Sequence, residues 1–246
     1  MATLEERADL IIRARKAPEI IPAALALCKD DPVFWFNNFC YTFDPRLEES
    51  TIPFNLYPVQ EWFIRVLRRC IDTQRDFGIE KSRDMGVSWM VILLFQWYWL
   101  FQPGCTFHVG SITMPDVDNG LVDPDNTLFG KFRFNYELLP TWMKPKMSYK
   151  FLTLQNMENG SNLTGQAPTM TFSRGKRKKA IFFDELPHWQ NADAAYQSAS
   201  QTTNCRIING TPNGKFNKYG RLMTAEGNRR IIWPGRAALK EAKNIA

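Results

Sequence analysis

Histidine is almost missing from this chain, and paired cysteine is missing altogether. His108 and His188 are the only two imidazoles, and they stand far apart, so a zinc site has no ligand set to draw on. Cys28, Cys40, Cys70, Cys105 and Cys205 form no C-x-x-C pair and no even framework, and they read as buried thiols of a reducing compartment. The longest apolar run, from 89 to 101, falls short of the roughly 20 residues a bilayer demands. The first ten residues are too charged for a signal peptide. No internal repeat and no low-complexity tract occurs. These absences predict a soluble, intracellular protein without metal-thiolate or disulfide chemistry.

What is present is an ordinary globular composition. The 246 residues, 44% apolar, suffice for one large domain or two small ones. A net charge of +6 tilts the expected partner toward a polyanion such as nucleic acid.

The stretch IEKSRDMGVSWM, Ile79 to Met90, reads as a phosphate cradle. A loop of the form G-x-x-x-x-G-K-[ST] wraps backbone N–H groups around phosphates, sends a lysine to their oxygens and places a hydroxyl on Mg²⁺. Gly86 and Ser88 fit that template. Val87 stands where the lysine should be, and Lys81 where the first glycine should be. The ends of such a loop lie close together, so an ammonium at its first residue reaches roughly the same oxygens. The run from Trp89 to Phe101 is apolar almost all round, as in a helix buried at the centre of an α/β domain. The loop would sit at its N-terminus, where the dipole favours an anion.

Along the rest of the chain, residues 4 to 30 show helical spacing broken by Pro18 and Pro22, a peripheral helical arm. The aromatic stretch Asp31 to Arg46 would pack that arm onto the domain. Leu56 to Arg69 begins a helix with Pro58 in its first turn. Gln60 just inside it has an amide able to donate to and accept from adenine, and Tyr57 offers a face for stacking. Cys105 to Val109 reads as a strand and Thr127 to Leu139 as a helix. Tyr149 to Met157 and Ser161 to Gln166 read as two strands joined by a Glu158 to Gly160 turn.

In KAIFFDE, Lys179 to Glu185, four consecutive apolar residues predict a fully buried parallel strand with Asp184 and Glu185 at its C-terminal end, where open α/β sheets bind ligands. The first carboxylate would hold Mg²⁺ together with Ser88, and the second would polarise a water for attack on a γ-phosphate. Cys205 to Asn209 is another buried strand. Thr211 and Asn213, in the turn after it, are placed to sense the phosphate.

Together these pieces resemble the N-terminal ATPase domain of the large terminase subunit, the motor that packages DNA into procapsids of tailed phages. The resemblance covers roughly residues 30 to 235 and rests on the aromatic stretch before Arg46, on LYPVQ, KSRDMGVSW and IFFDE, and on the turn NGTPNG. It implies an α/β fold, a P-loop NTPase of the additional-strand, catalytic-glutamate type, with a mainly parallel sheet flanked by helices. Residues 1–50 would form the arm and aromatic cluster, 51–214 the ATPase core, and 215–246 a lid-like segment and tail. ATP would be held by Tyr57, Gln60 and the Walker A loop (Lys81, Ser82, Arg83, Asp84, Met85, Gly86, Val87, Ser88, Trp89). Mg²⁺ would be held by Ser88 and the Walker B Asp184, with Glu185 as the catalytic carboxylate.

Some of the family moves its lysine to the start of the loop, as Lys81 does here. By the same resemblance Arg83 acts in cis on the phosphates and Arg174 reaches a neighbouring subunit's ATP, while the run Arg174 to Lys179 also reads as a DNA-phosphate contact or as a solvated loop. Thr211 and Asn213 would couple hydrolysis to movement. The implied partners are double-stranded DNA, the procapsid portal and the small terminase subunit. The expected state is a homo-oligomeric ring when active and a monomer in isolation, in the host-cell cytoplasm. The family's nuclease half is not expected in these residues. Two other readings share the sequence: a helicase or other translocase on the same core, and a nucleotide- or DNA-binding module that the displaced lysine leaves without turnover.

Overall fold

Burial sets the centre of the molecule. In the helix Val87–Phe101 only Ser88, Leu100 and Phe101 keep partial exposure. The computed structural model describes residues 3–82, 85–214, 217–225 and 230–232. In chain order the helices are α1 (Leu4–Lys16), α2 (Ile21–Asp30), α3 (Pro32–Phe39), α4 (Pro58–Asp72), α5 (Val87–Phe101), α6 (Met114–Val117), α7 (Leu128–Leu138), α8 (Ala192–Ala199) and α9 (Lys218–Thr224). The strands are β1 (Tyr41–Phe43), β2 (Thr51–Pro53), β3 (Phe77–Glu80), β4 (Thr106–Gly110), β5 (Met147–Lys150), β6 (Thr153–Asn156), β7 (Asn162–Gly165), β8 (Ala180–Phe183), β9 (Arg206–Gly210) and β10 (Arg230–Ile232).

The large sheet has the order β10-β3-β9-β8-β4-β7-β6-β5. From β10 to β7 every neighbouring pair is parallel, and β6 and β5 close the far edge antiparallel. β9 lies between β3, which leads into the 81–86 loop, and β8, which leads into the carboxylates. That is the additional-strand arrangement of an α/β P-loop NTPase-like fold. The tail expected at the end of residues 215–246 lies outside the described residues.

Several polar groups inside this core pair with one another or with backbone carbonyls. On α5, Gln96 donates to the Phe132 carbonyl at 3.0 Å and accepts from Asn135 at 2.8 Å, which docks α7. Trp97 donates its indole N–H to the Cys28 carbonyl at 2.6 Å, which ties α2 to the same helix. The arm is held less peripherally than its sequence suggests. Arg7 is buried, donates to the carbonyls of Asn37 and Cys40 and to Asn55, and lies over the Tyr41 ring. Trp35, Phe36 and Phe39 of α3 belong to the main core.

Tyr149 to Met157 is not one strand, contrary to the sequence reading. The chain reverses at Phe151 and Leu152, with Leu152 at φ +60°, and makes the hairpin β5–β6. Asp118 enforces the reversal by accepting from Leu152 N at 2.8 Å and from the Tyr149 hydroxyl at 3.0 Å. The turn from Glu158 to Gly160 does join two antiparallel strands, β6 and β7. All five cysteines are buried thiols. No helix among the described residues is long and apolar enough to cross a membrane.

Candidate active site

Parallel strands deliver their C-terminal ends to one edge of the sheet, and three of those ends build the site. β3 ends at Glu80, and Lys81 follows, with its backbone N–H donating to the Gly210 carbonyl at the tip of β9 (3.2 Å). The loop returns through Gly86, whose φ of +71° is a left-handed conformation that a side chain would strain. It also lies against Phe54 and Gln60. α5 starts at the next residue, and its first-turn N–H groups have no partner within the helix.

From β8 comes Asp184, 7% exposed. Its backbone is fixed on both sides: its N–H donates to the Gly110 carbonyl (2.9 Å), and its carbonyl accepts the Trp189 indole (2.9 Å). Its Oδ1 accepts from Ser88 Oγ at 2.9 Å and from Asn209 Nδ2 at 2.7 Å. Burial and then the charge of Glu185 raise the Asp184 carboxyl above its ordinary range, and the hydrogen bonds from Asn209 and Ser88 and the charge of Lys81 work the other way. Glu185 itself stands in the left-handed region at φ +52°, and this turns its side chain back onto Lys81, where Nζ and Oε1 are 2.6 Å apart. Lys81, Ser88 and the adjacent Asp184 and Glu185, from three separate places in the sequence, therefore meet around one space.

That space is open. A cavity of about 460 Å³ runs between the loop residues 85–89, Lys81 and the β1–β2 segment with Asp44 and Arg46. A second of about 380 Å³, holding Asp184 and Glu185, shares Lys81, Ser88, Asp125 and Lys131 with the first. A cavity of similar size opens at the other end of β3, but its Asp76 and Arg206 already neutralise one another, so it offers a ligand less charge.

The remaining candidates are more scattered. Met85, Gly86, Val87 and Trp89 line the larger cavity, and Ser82 is exposed beside Lys81. Arg83 and Asp84 lie outside the described residues. Gln60 is buried, its Oε1 already accepts from Tyr57 N at 3.0 Å, and neither it nor Tyr57 lines these cavities. Thr211 is half-buried and Asn213 exposed beyond the tip of β9. Arg174 is exposed on the segment before β8 and lines neither cavity. Two residues escaped the sequence reading. Asn209 was legible as an amide ending a buried strand, whereas nothing in the sequence marks Lys131.

No protein-family model matches the sequence, and no curated protein matches it. Solved structures do. The chain is similar to the HK97 bacteriophage large terminase, with TM-score 0.53 and 13% identity over 74% of this chain and 37% of that one. It is similar to a large terminase ATPase domain of Thermus phage P74-26, with TM-score 0.52 and 13% identity over 74% of this chain and 84% of that one. It is also similar to the large terminase of a thermophilic bacteriophage in complex with ADP, with TM-score 0.55 and 9% identity over 78% of this chain and 48% of that one. The chain thus spans less than half the length of the HK97 and ADP-bound proteins and matches most of the isolated ATPase domain. At these identities the likeness carries the fold, which is that of the phage large terminase ATPase domain.

Proposed function

We propose that this chain is a Mg²⁺-dependent ATPase whose hydrolysis drives double-stranded DNA into a viral procapsid. One observation carries the reading: Lys81 after β3, Ser88 in the first turn of α5, and Asp184 and Glu185 after β8 converge at the strand edge, with β9 between β3 and β8. Lys81, Ser82 and the amides of the 81–86 loop bind the triphosphate, with the N-terminus of α5 contributing its dipole. The oxygen donors of Ser88 and Asp184 suit a hard divalent cation, and the charge of Asp184, buried with only neutral donors on its Oδ1 among the described residues, is a cost such a cation would remove. Magnesium, when bound there, neutralises charge on the phosphates. Glu185 orients and polarises the attacking water. Asn209 holds the Asp184 carboxylate against Ser88.

Thr211 and Asn213 extend from the tip of β9 and are suited to pass the phosphate state to the rest of the molecule. Arg83 in cis and Arg174 in trans are the proposed arginines, and the portal, the small terminase subunit and a ring of further copies are the proposed partners. Phosphate release from ATP, measured with and without Mg²⁺ and with and without DNA, tests the reading. Magnesium-dependent release that DNA or assembly raises supports it. A chain that binds no ATP in any of these conditions refutes it.

A further inference from the structure

Lys131 lies on α7, 8% exposed, and lines both cavities of the site. An ammonium has three donors and no acceptor. Among the described residues, its one hydrogen bond goes to the backbone carbonyl of Asp125 at 3.0 Å. Its remaining neighbour of note is the Trp89 ring, 5.5 Å away. Asp184, Asp125 and Asp123 act on it only through space, and burial weighs more than all of them. A buried cation that lacks a bonded counter-charge is costly, and an entering anion would relieve the cost.

The position is built with care. The loop before α7 is pressed against the helix where the Asp123 carbonyl meets Gly130, and a Cβ on Gly130 would come within 1.9 Å of that oxygen. The hydroxyl of Thr127 accepts from Gly130 N at 2.8 Å, and the Thr127 carbonyl accepts from Lys131 N at 3.1 Å. Asn119 and Asn126 bind the Asp123 carboxylate. The carbonyl of Asp125 that aims the Lys131 ammonium is thereby fixed relative to the helix.

We propose that Lys131 is a phosphate-binding residue of this site, supplying from α7 an ammonium that Val87 cannot supply from the loop. Lys81 is already engaged with Glu185, so the two lysines differ in kind: one must be released from a carboxylate, and the other faces the cavity with donors in hand. The inference rests on the ATP reading above.

The test is Lys131→Met, which keeps the stem against Trp89 and removes the charge, compared with Lys131→Arg, which keeps it. Binding of MgATP and of adenosine to the whole chain is measured by titration. Loss of one charge-assisted hydrogen bond should weaken MgATP binding about 10- to 100-fold in Lys131→Met, leave adenosine binding unchanged, and be largely absent in Lys131→Arg. Equal loss for ATP and adenosine, or no loss for ATP, overturns the role of Lys131 and leaves the ATP reading standing. A wild-type chain that binds no MgATP overturns both. Should Lys131→Met fail to fold, the wild-type protein decides: ATP, and not adenosine, should slow reductive methylation of Lys131 followed by mass spectrometry, and an unchanged rate counts against the assignment.

Discussion

The ammonium of Lys81 and the carboxylate of Glu185, 104 residues apart in sequence, form an ion pair at 2.6 Å across the mouth of the site. Each is the group the other would have to release for phosphoryl transfer. Triphosphate oxygens binding Lys81 would free Glu185 to face water, which couples the general base to occupancy. Glu185→Gln should therefore cut ATP turnover by about 10²- to 10⁴-fold, the range for a lost general base, while ATP still binds. Steady-state phosphate release beside equilibrium binding checks this, and a wild-type rate removes Glu185 from the mechanism.

Val87 bears on the loop lysine. It is the first residue of α5, 2% exposed, and it lines the larger cavity. Lys81→Ala should lower turnover by about 10²-fold or more, as expected when a preorganised charge is removed from a phosphoryl site. Adding Val87→Lys should restore part of it, because the new stem starts on the cavity wall. Full activity in Lys81→Ala alone would mean that Lys81 is not the phosphate lysine.

The Asp184 carboxylate offers a pH test. Its Oδ1 is held by Ser88 and Asn209, and both bonds lower a carboxyl that burial and Glu185 raise. Replacing Asn209 with Leu removes one lowering contribution, so Asp184 protonates at higher pH, and the acid limb of the rate profile should move upward. Ser88→Ala should raise the Mg²⁺ concentration for half-maximal activity about 10- to 100-fold, on the scale of ligand-shell changes. Unmoved profiles in both variants would separate these residues from the metal.

Much of this arrangement was legible because its signals are local. Four apolar residues before Asp184, a glycine before a buried helix and a proline in the first turn of α4 each act over a few positions. Strand pairing is not local. That Asn209 meets Asp184 depends on β9 lying beside β8, and that Lys131 enters the cavity depends on how Gln96 and Asn135 dock α7 on α5. The alternation through residues 149–157 continues across the reversal, so periodicity alone gave one strand where Asp118 makes two. The arm was expected to be peripheral because nothing in its sequence announces the carbonyls of Asn37 and Cys40 that Arg7 satisfies.

His108 should make the fold sensitive to acid. On β4 its Nδ1 lies 2.8 Å from Thr164 Oγ1, which donates to the Phe107 carbonyl at 3.1 Å and accepts from Lys178 at 3.2 Å. With that hydroxyl's proton committed, Nδ1 carries the imidazole proton. Nε2 is buried without a partner among the described residues. Burial first and Lys178 second lower the His108 pKa to about 3. An unfolded chain takes up this proton below roughly 6.5, and the folded one does not until about 3, so the unfolded state binds more protons across that window. Stability is then complete above the unfolded value and falls by about 1.4 kcal/mol per pH unit as pH drops through the window. Urea unfolding at pH 6.5 and at pH 5 should show the wild-type chain losing about 2 kcal/mol more than His108→Gln, which cannot titrate. Equal losses in the two proteins would mean that His108 is solvated or protonated in the folded state, contrary to its place in the sheet.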